Sequence, residues 1–99
     1  MPEPAAPLLV FFTSRQSGPA RRMESLLAHI ARKERERLRV KRVDVEELPD
    51  VSERFGVSDV PSLVLVKDRR IVARLDGRST APQIETMLDA HVRGEPAAA

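Results

Sequence analysis

A chain of 99 residues, 41% hydrophobic and 32% charged, suits one soluble globular domain with a single core and is too short for two. It contains no cysteine, which excludes disulfides, thiolate catalysis and thiolate metal ligation together. The net charge of +2 is too small to mark a nucleic-acid binder by itself, and the longest apolar run, Leu8 to Phe12, is too short for a signal peptide or a membrane span, so a cytoplasmic address is expected.

Residues 1–6, rich in proline and alanine, read as a flexible lead, residues 7–94 as the folded domain and residues 95–99 as a flexible tail. Leu8, Leu9, Val10, Phe11 and Phe12 lack polar alternation, the pattern of a strand covered on both faces. The chain then passes through Gln16, Ser17, Gly18, Pro19 and Ala20 into an amphipathic segment whose apolar positions, Met23, Leu26, Leu27, Ile30 and Ala31, recur at helical spacing. Ser17 is a good N-cap and Pro19 suits a first turn, so the spacing predicts a helix over residues 19–37. A strand that delivers a helix N-terminus at the carboxyl edge of a parallel sheet is a common place for a site.

Residues 32–42 carry a basic bias, with Arg32, Lys33, Arg35, Arg37, Arg39, Lys41 and Arg42 against Glu34 and Glu36. A solvated helix end explains it, with Arg32 and Glu36 as an i,i+4 pair and cations at the negative end of the helix dipole. Single-strand binders add aromatic stacking platforms, and here Phe11, Phe12 and Phe55 all read as core, so nucleic-acid binding is not expected. A strand follows over residues 39–45. Asp50 with Glu53 resembles a capping box opening a short helix, Val51 and Phe55 give it one buried side, and Gly56 stops it.

Strands are predicted over residues 62–66 and 70–75, antiparallel because Lys67, Asp68 and Arg69 leave no room for a crossover. Thr80, Ala81, Pro82 and Gln83 combine an N-cap, a first-turn proline and a capping-box glutamine. Ile84, Met87, Leu88 and Val92 form the stripe of the last helix, which Gly94 ends. Met23 and Met87 are core residues. His29 and His91 have no ligand-spaced neighbours, so both are surface residues and no metal or cofactor is expected. Ser17 lacks a base to make it a nucleophile: His29, twelve residues along the same helix, is roughly 18 Å away at 1.5 Å per residue.

Three segments in order resemble the thioredoxin family. The Ser17-Gly18-Pro19-Ala20 loop keeps the frame of the family's Cys-Gly-Pro-Cys loop without either sulfur. The run from Val43 to Pro49, continued through Glu53 to Val57, is similar to its third-strand and short-helix signature, and Val60-Pro61-Ser62 sits where the family carries a cis-proline. The resemblance covers residues 7–92 and implies an α/β minimal thioredoxin-like fold: a mixed four-stranded sheet flanked by three helices in the order β-α-β-α-β-β-α. Family members often carry a strand and helix ahead of the strand at Leu8. Without room for them, residues 39–45 become a sheet edge, guarded by Arg39, Lys41 and Arg42.

The resemblance also implies a groove formed by Gln16, Ser17, Gly18, Pro19 and Ala20, by Val60 and Pro61, and by Asp76 and Gly77, holding an extended peptide by strand addition. Val60-Pro61 is expected to be cis. The departures extend past the sulfurs. The family's buried acid falls at Phe11, the indole before its first cysteine at Gln16, and its buried lysine at Arg42, unless the strand slips by one residue. Thiol–disulfide exchange needs an attacking and a resolving thiol, and Ser17 and Ala20 supply neither. The expected function is a redox-inactive peptide- or protein-binding adaptor module, not an enzyme as it stands. The alternative is a thiol–disulfide oxidoreductase whose cysteines were replaced by engineering, and a homodimer through the edge strand 39–45 is a further expectation.

Overall fold

The structure, a computed structural model, describes residues 6–92; most of the lead, the tail at residues 95–99 and Gly94 lie outside the described residues. Leu8–Thr13 forms β1, Arg39–Asp44 β2, Ser62–Lys67 β3 and Arg70–Asp76 β4, with helices α1 (Gly18–Lys33), α2 (Pro49–Arg54) and α3 (Ala81–His91) between and after them. The sheet runs β2-β1-β3-β4, with β1 parallel to β2 and antiparallel to β3, and β3 antiparallel to β4. This is the mixed four-stranded sheet with three helices that the family resemblance implies.

An all-apolar β1 is accounted for by its interior place. Leu9 and Phe11 face Met23, Leu27 and Ile30 of α1 and Ile84, Met87 and Leu88 of α3 in one cluster. Val10 and Phe12 face the other way, packing with Val43, Val64 and the partly buried Val51, Phe55 and Val57 around α2. The Phe12 and Phe55 rings stand 5.6 Å apart in a tilted pair. Two long helices thus cover one face, and a helix of a single turn and a half covers part of the other.

Two boundaries differ from the sequence reading. Helix α1 stops at Lys33, four residues short of Arg37, because Leu38 must turn back into the core, where it is 2% exposed. Glu34 caps the helix, its carbonyl accepts the amides of Arg37 and Leu38, and its buried carboxylate meets Arg37 Nε at 3.1 Å. Glu36 lies beyond the helix, so the i,i+4 pairing with Arg32 falls away, and Lys33 reaches across to Glu85 on α3 instead, at 3.1 Å. Helix α2 begins at Pro49 with Leu48 as N-cap and no side-chain cap, so Asp50 sits inside the first turn instead of opening it. Gly56, at φ 67°, does end that helix in the left-handed conformation that glycine adopts without penalty.

At α3, Thr80 Oγ1 accepts the Gln83 amide and Gln83 reaches back to the Thr80 amide, completing the capping box. The β3–β4 connection is a two-residue turn in which Asp68 and Arg69 both have positive φ, 54° and 67°. Such turns favour Asn-Gly or Asp-Gly, and holding an arginine in the second place costs about 1 kcal/mol.

Candidate functional site

Register alone gathers the site. Thr13 pairs with Asp44, Phe12 with Ser62 and Ser62 with Asp76. The loop after β1, the segment before β3 and the turn after β4 therefore share one end of the sheet, which brings Gln16–Ala20, Val60–Pro61 and Asp76–Gly77 to the same edge. The Gly77 amide donates to the Pro61 carbonyl at 2.9 Å, tying two of these segments directly. The Val60–Pro61 bond is cis. Pro61 is buried, Ser17, Val60 and Gly77 are half-buried, and Gln16, Gly18 and Asp76 are exposed.

The loop is fixed by its serines. Ser14 Oγ accepts the Gln16 amide at 3.1 Å and the Ser14 carbonyl accepts the Ser17 amide at 3.0 Å. Ser17, in extended conformation, then caps α1 by accepting the Ala20 amide at 3.1 Å. No imidazole stands beside it, since His29 lies on the exposed side of α1 and His91 at the far end of α3. Among the described residues no group of three His, Cys, Asp or Glu gathers to hold a metal ion, and no helix is long and apolar enough to cross a membrane.

Several residues at this end carried no sequence signal. Ser62 Oγ donates to the Asp59 carbonyl at 2.7 Å and holds the turn before β3. Arg15 pairs with Glu47 at 3.0 Å, with both side chains exposed. Arg74 of β4 donates to the carbonyls of Phe55 and Gly56, each at 3.1 Å, and to Asp76 Oδ1 at 3.3 Å. It thereby closes the C-terminus of α2 and steadies Asp76 at the groove. Arg74→Ala should cost about 1 kcal/mol, less than a buried charged bond because the side chain is partly solvated. Amide exchange should rise in α2 more than in α1; a uniform rise would show that the clamp is not local.

Residues 2–90 match the family model for thioredoxin. The chain belongs to the thioredoxin family. It is 33% identical over 82 residues to a thioredoxin of Alicyclobacillus acidocaldarius, an alignment covering 83% of this chain and 78% of that one. It is 29% identical over 86 residues to a thioredoxin of Pseudomonas aeruginosa, covering 87% and 80%. Among solved structures, the germline-specific thioredoxin Deadhead of Drosophila melanogaster superposes with a TM-score of 0.79 at 25% identity, over 85% of this chain and 80% of that one. A malarial protein at 15% identity and TM-score 0.80 shares the fold, over 88% and 98%.

Phe11, where the resemblance expects the family's buried acid, is 2% exposed in the cluster under α1 and α3. Phe11 pairs in register with Arg42. Arg42 finds its carboxylate on α1: its Nη2 meets Glu24 Oε2 at 3.3 Å, and Thr13 Oγ1 donates to the same oxygen at 3.3 Å. The acid–base pair at this level therefore lies at the half-exposed margin between α1 and β2, apart from the Ser17–Ala20 loop.

Proposed function

We propose that this is a redox-inactive, thioredoxin-like binding module, an adaptor of cytoplasmic address that holds an extended peptide or a segment of a partner protein at the end of the sheet built by Gln16, Ser17, Val60, Pro61, Asp76 and Gly77. The observation that carries it is the retention of that assembled end, Gly77 bonded to Pro61 beside a capped loop, in a chain without a single cysteine. Strand addition draws on backbone donors and acceptors and on side-chain pockets, so it does not depend on the sulfurs.

Gly77 is the place to test it, with one complication. Its φ of 83° strains any L-residue, although a Cβ there would meet nothing within 4 Å. Gly77→Trp alone therefore mixes strain with obstruction. Gly77→Asn supplies the control, because asparagine tolerates the left-handed region while leaving the surface open. Both variants should melt several degrees lower, at about 4–8 °C per kcal/mol for a domain of this size. In affinity capture from lysate of the source organism, partners should be kept by Gly77→Asn and lost by Gly77→Trp. Partners held equally by both would discard this reading of the groove.

A further inference from the structure

The opposite end of the sheet carries a second surface. Helix α2 packs at the Phe12 and Val43 end of its face and leaves the rest open. There a groove of about 830 Å³ runs across the sheet, with Leu8 and Val66 in its floor, Arg39 and Lys41 of β2 on one margin, and Asp68 and Arg69, of opposite charge, on the other. Register explains the layout: Leu8 pairs with Arg39 on one side and Val66 on the other, and Val10 pairs with Lys41. Arg39 and Lys41 therefore project on the same face, two residues apart.

Along this groove β2 is the outermost strand among the described residues. The Arg39 amide donates to Pro7 and the Val45 amide to Thr13, both toward β1. By the two-residue period of a strand, the amides and carbonyls of Val40 and Arg42 point outward, where a further strand would pair. Positive charge then decides what fits. In a two-fold antiparallel pairing of two copies through the middle of β2, the axis would fall at Lys41 or at Arg42, setting that residue opposite its own copy, and like charges directly opposite are destabilising. Arg69 and Asp68, on the turn across β1 and β3, offset one another in charge, so the surplus of positive charge lies on β2.

We propose that β2 and the groove margin it forms are a docking surface for an acidic, extended segment of another protein, added as a strand beside β2 with carboxylates at alternate positions facing Arg39 and Lys41. The site is distinct from the Pro61 groove and does not depend on it.

The test uses the full chain and a short fluorescein-labelled peptide alternating valine with glutamate, beside the same peptide with lysine for every glutamate. The acidic peptide should bind, more weakly as salt is raised, and the basic one should not. On binding, the Val40 and Arg42 amide resonances should move while those of Gln16 and Gly77 stay. Arg39→Glu combined with Lys41→Glu should weaken binding about tenfold, as expected for exposed charge pairs. The double variant should melt within a few degrees of the parent, because both side chains are exposed, so its loss of affinity will not be a loss of fold. Equal binding of both peptides, or shifts centred on Gly77, would overturn the proposal. So would a concentration-dependent dimer that Lys41→Glu abolishes, or a need to delete residues 2–5 before the peptide binds, since each names a different occupant.

Discussion

Replacing Phe11 with aspartate, the acid that the resemblance expects there, should leave the chain without a cooperative thermal transition at neutral pH. Removing a buried phenylalanine ring costs about 3–5 kcal/mol through lost burial and the cavity left behind. Phe11 is 2% exposed among Leu9, Met23, Leu63 and Leu65, with no described donor offered to a carboxylate there. Arg42, the cation in register with it, is already held by Glu24 and Thr13 at the margin of the sheet. An ionised group placed in that cluster adds several kcal/mol more. The sum falls within the roughly 5–15 kcal/mol by which whole domains are stable, and exceeds the lower part of that range, where a domain of this size belongs. Circular dichroism through a thermal ramp decides it, with Phe11→Leu as the mild control. A cooperative transition within about 3 kcal/mol of the parent would show that this core has room for an acid.

Restoring both sulfurs should produce a disulfide but a poor reductase. Ser17→Cys with Ala20→Cys places two thiols at the first turn of α1, where the partial positive charge of the helix end favours a thiolate. The variant gives up the Ser17 Oγ cap, at about 0.5–2 kcal/mol. It gains no group to move the proton, since Phe11 fills the acid's place. With general acid–base assistance typically contributing about 10²–10⁴-fold, insulin reduction should fall short of a dicysteine thioredoxin by that range. A rate within about tenfold would make the other departures immaterial to catalysis. It would favour the alternative of an oxidoreductase whose cysteines had been replaced, which cysteine codons at positions 17 and 20 of the source gene would then settle.

The elements legible in the sequence were those whose signal is local. The Thr80–Gln83 capping box, the short β3–β4 connection and the unalternating run at Leu8 each specify their structure within a few residues. The end of α1 was not legible, because residues 34–37 include good helix formers and only the demand of the core for Leu38 stops them. The start of α2 was misread for a different reason: Asp50 and Glu53 imitate a capping box, while Pro49 in the first turn was the better guide. At the candidate site, the loop and the Val60–Pro61 segment came from resemblance in ordered motifs. Arg74 on the Phe55 and Gly56 carbonyls, and Arg42 on Glu24, depend on strand register and on which helix lies over which face, neither of which sequence spacing encodes.

The strand order has a consequence for how the molecule comes into being. β1 lies inside the sheet, yet its two neighbours come from very different distances along the chain. Residues 8–44 contain β1 and β2 but leave the other side of β1 bare, because Leu8 meets Val66 and Phe11 meets Leu63. Residues 62–76 make only a hairpin, which is marginal in isolation. Neither part is a sheet without the other. During synthesis, β1 leaves the ribosome before both of its partners, and after β2 has followed it still waits with one edge open until β3, roughly fifty residues behind it, emerges.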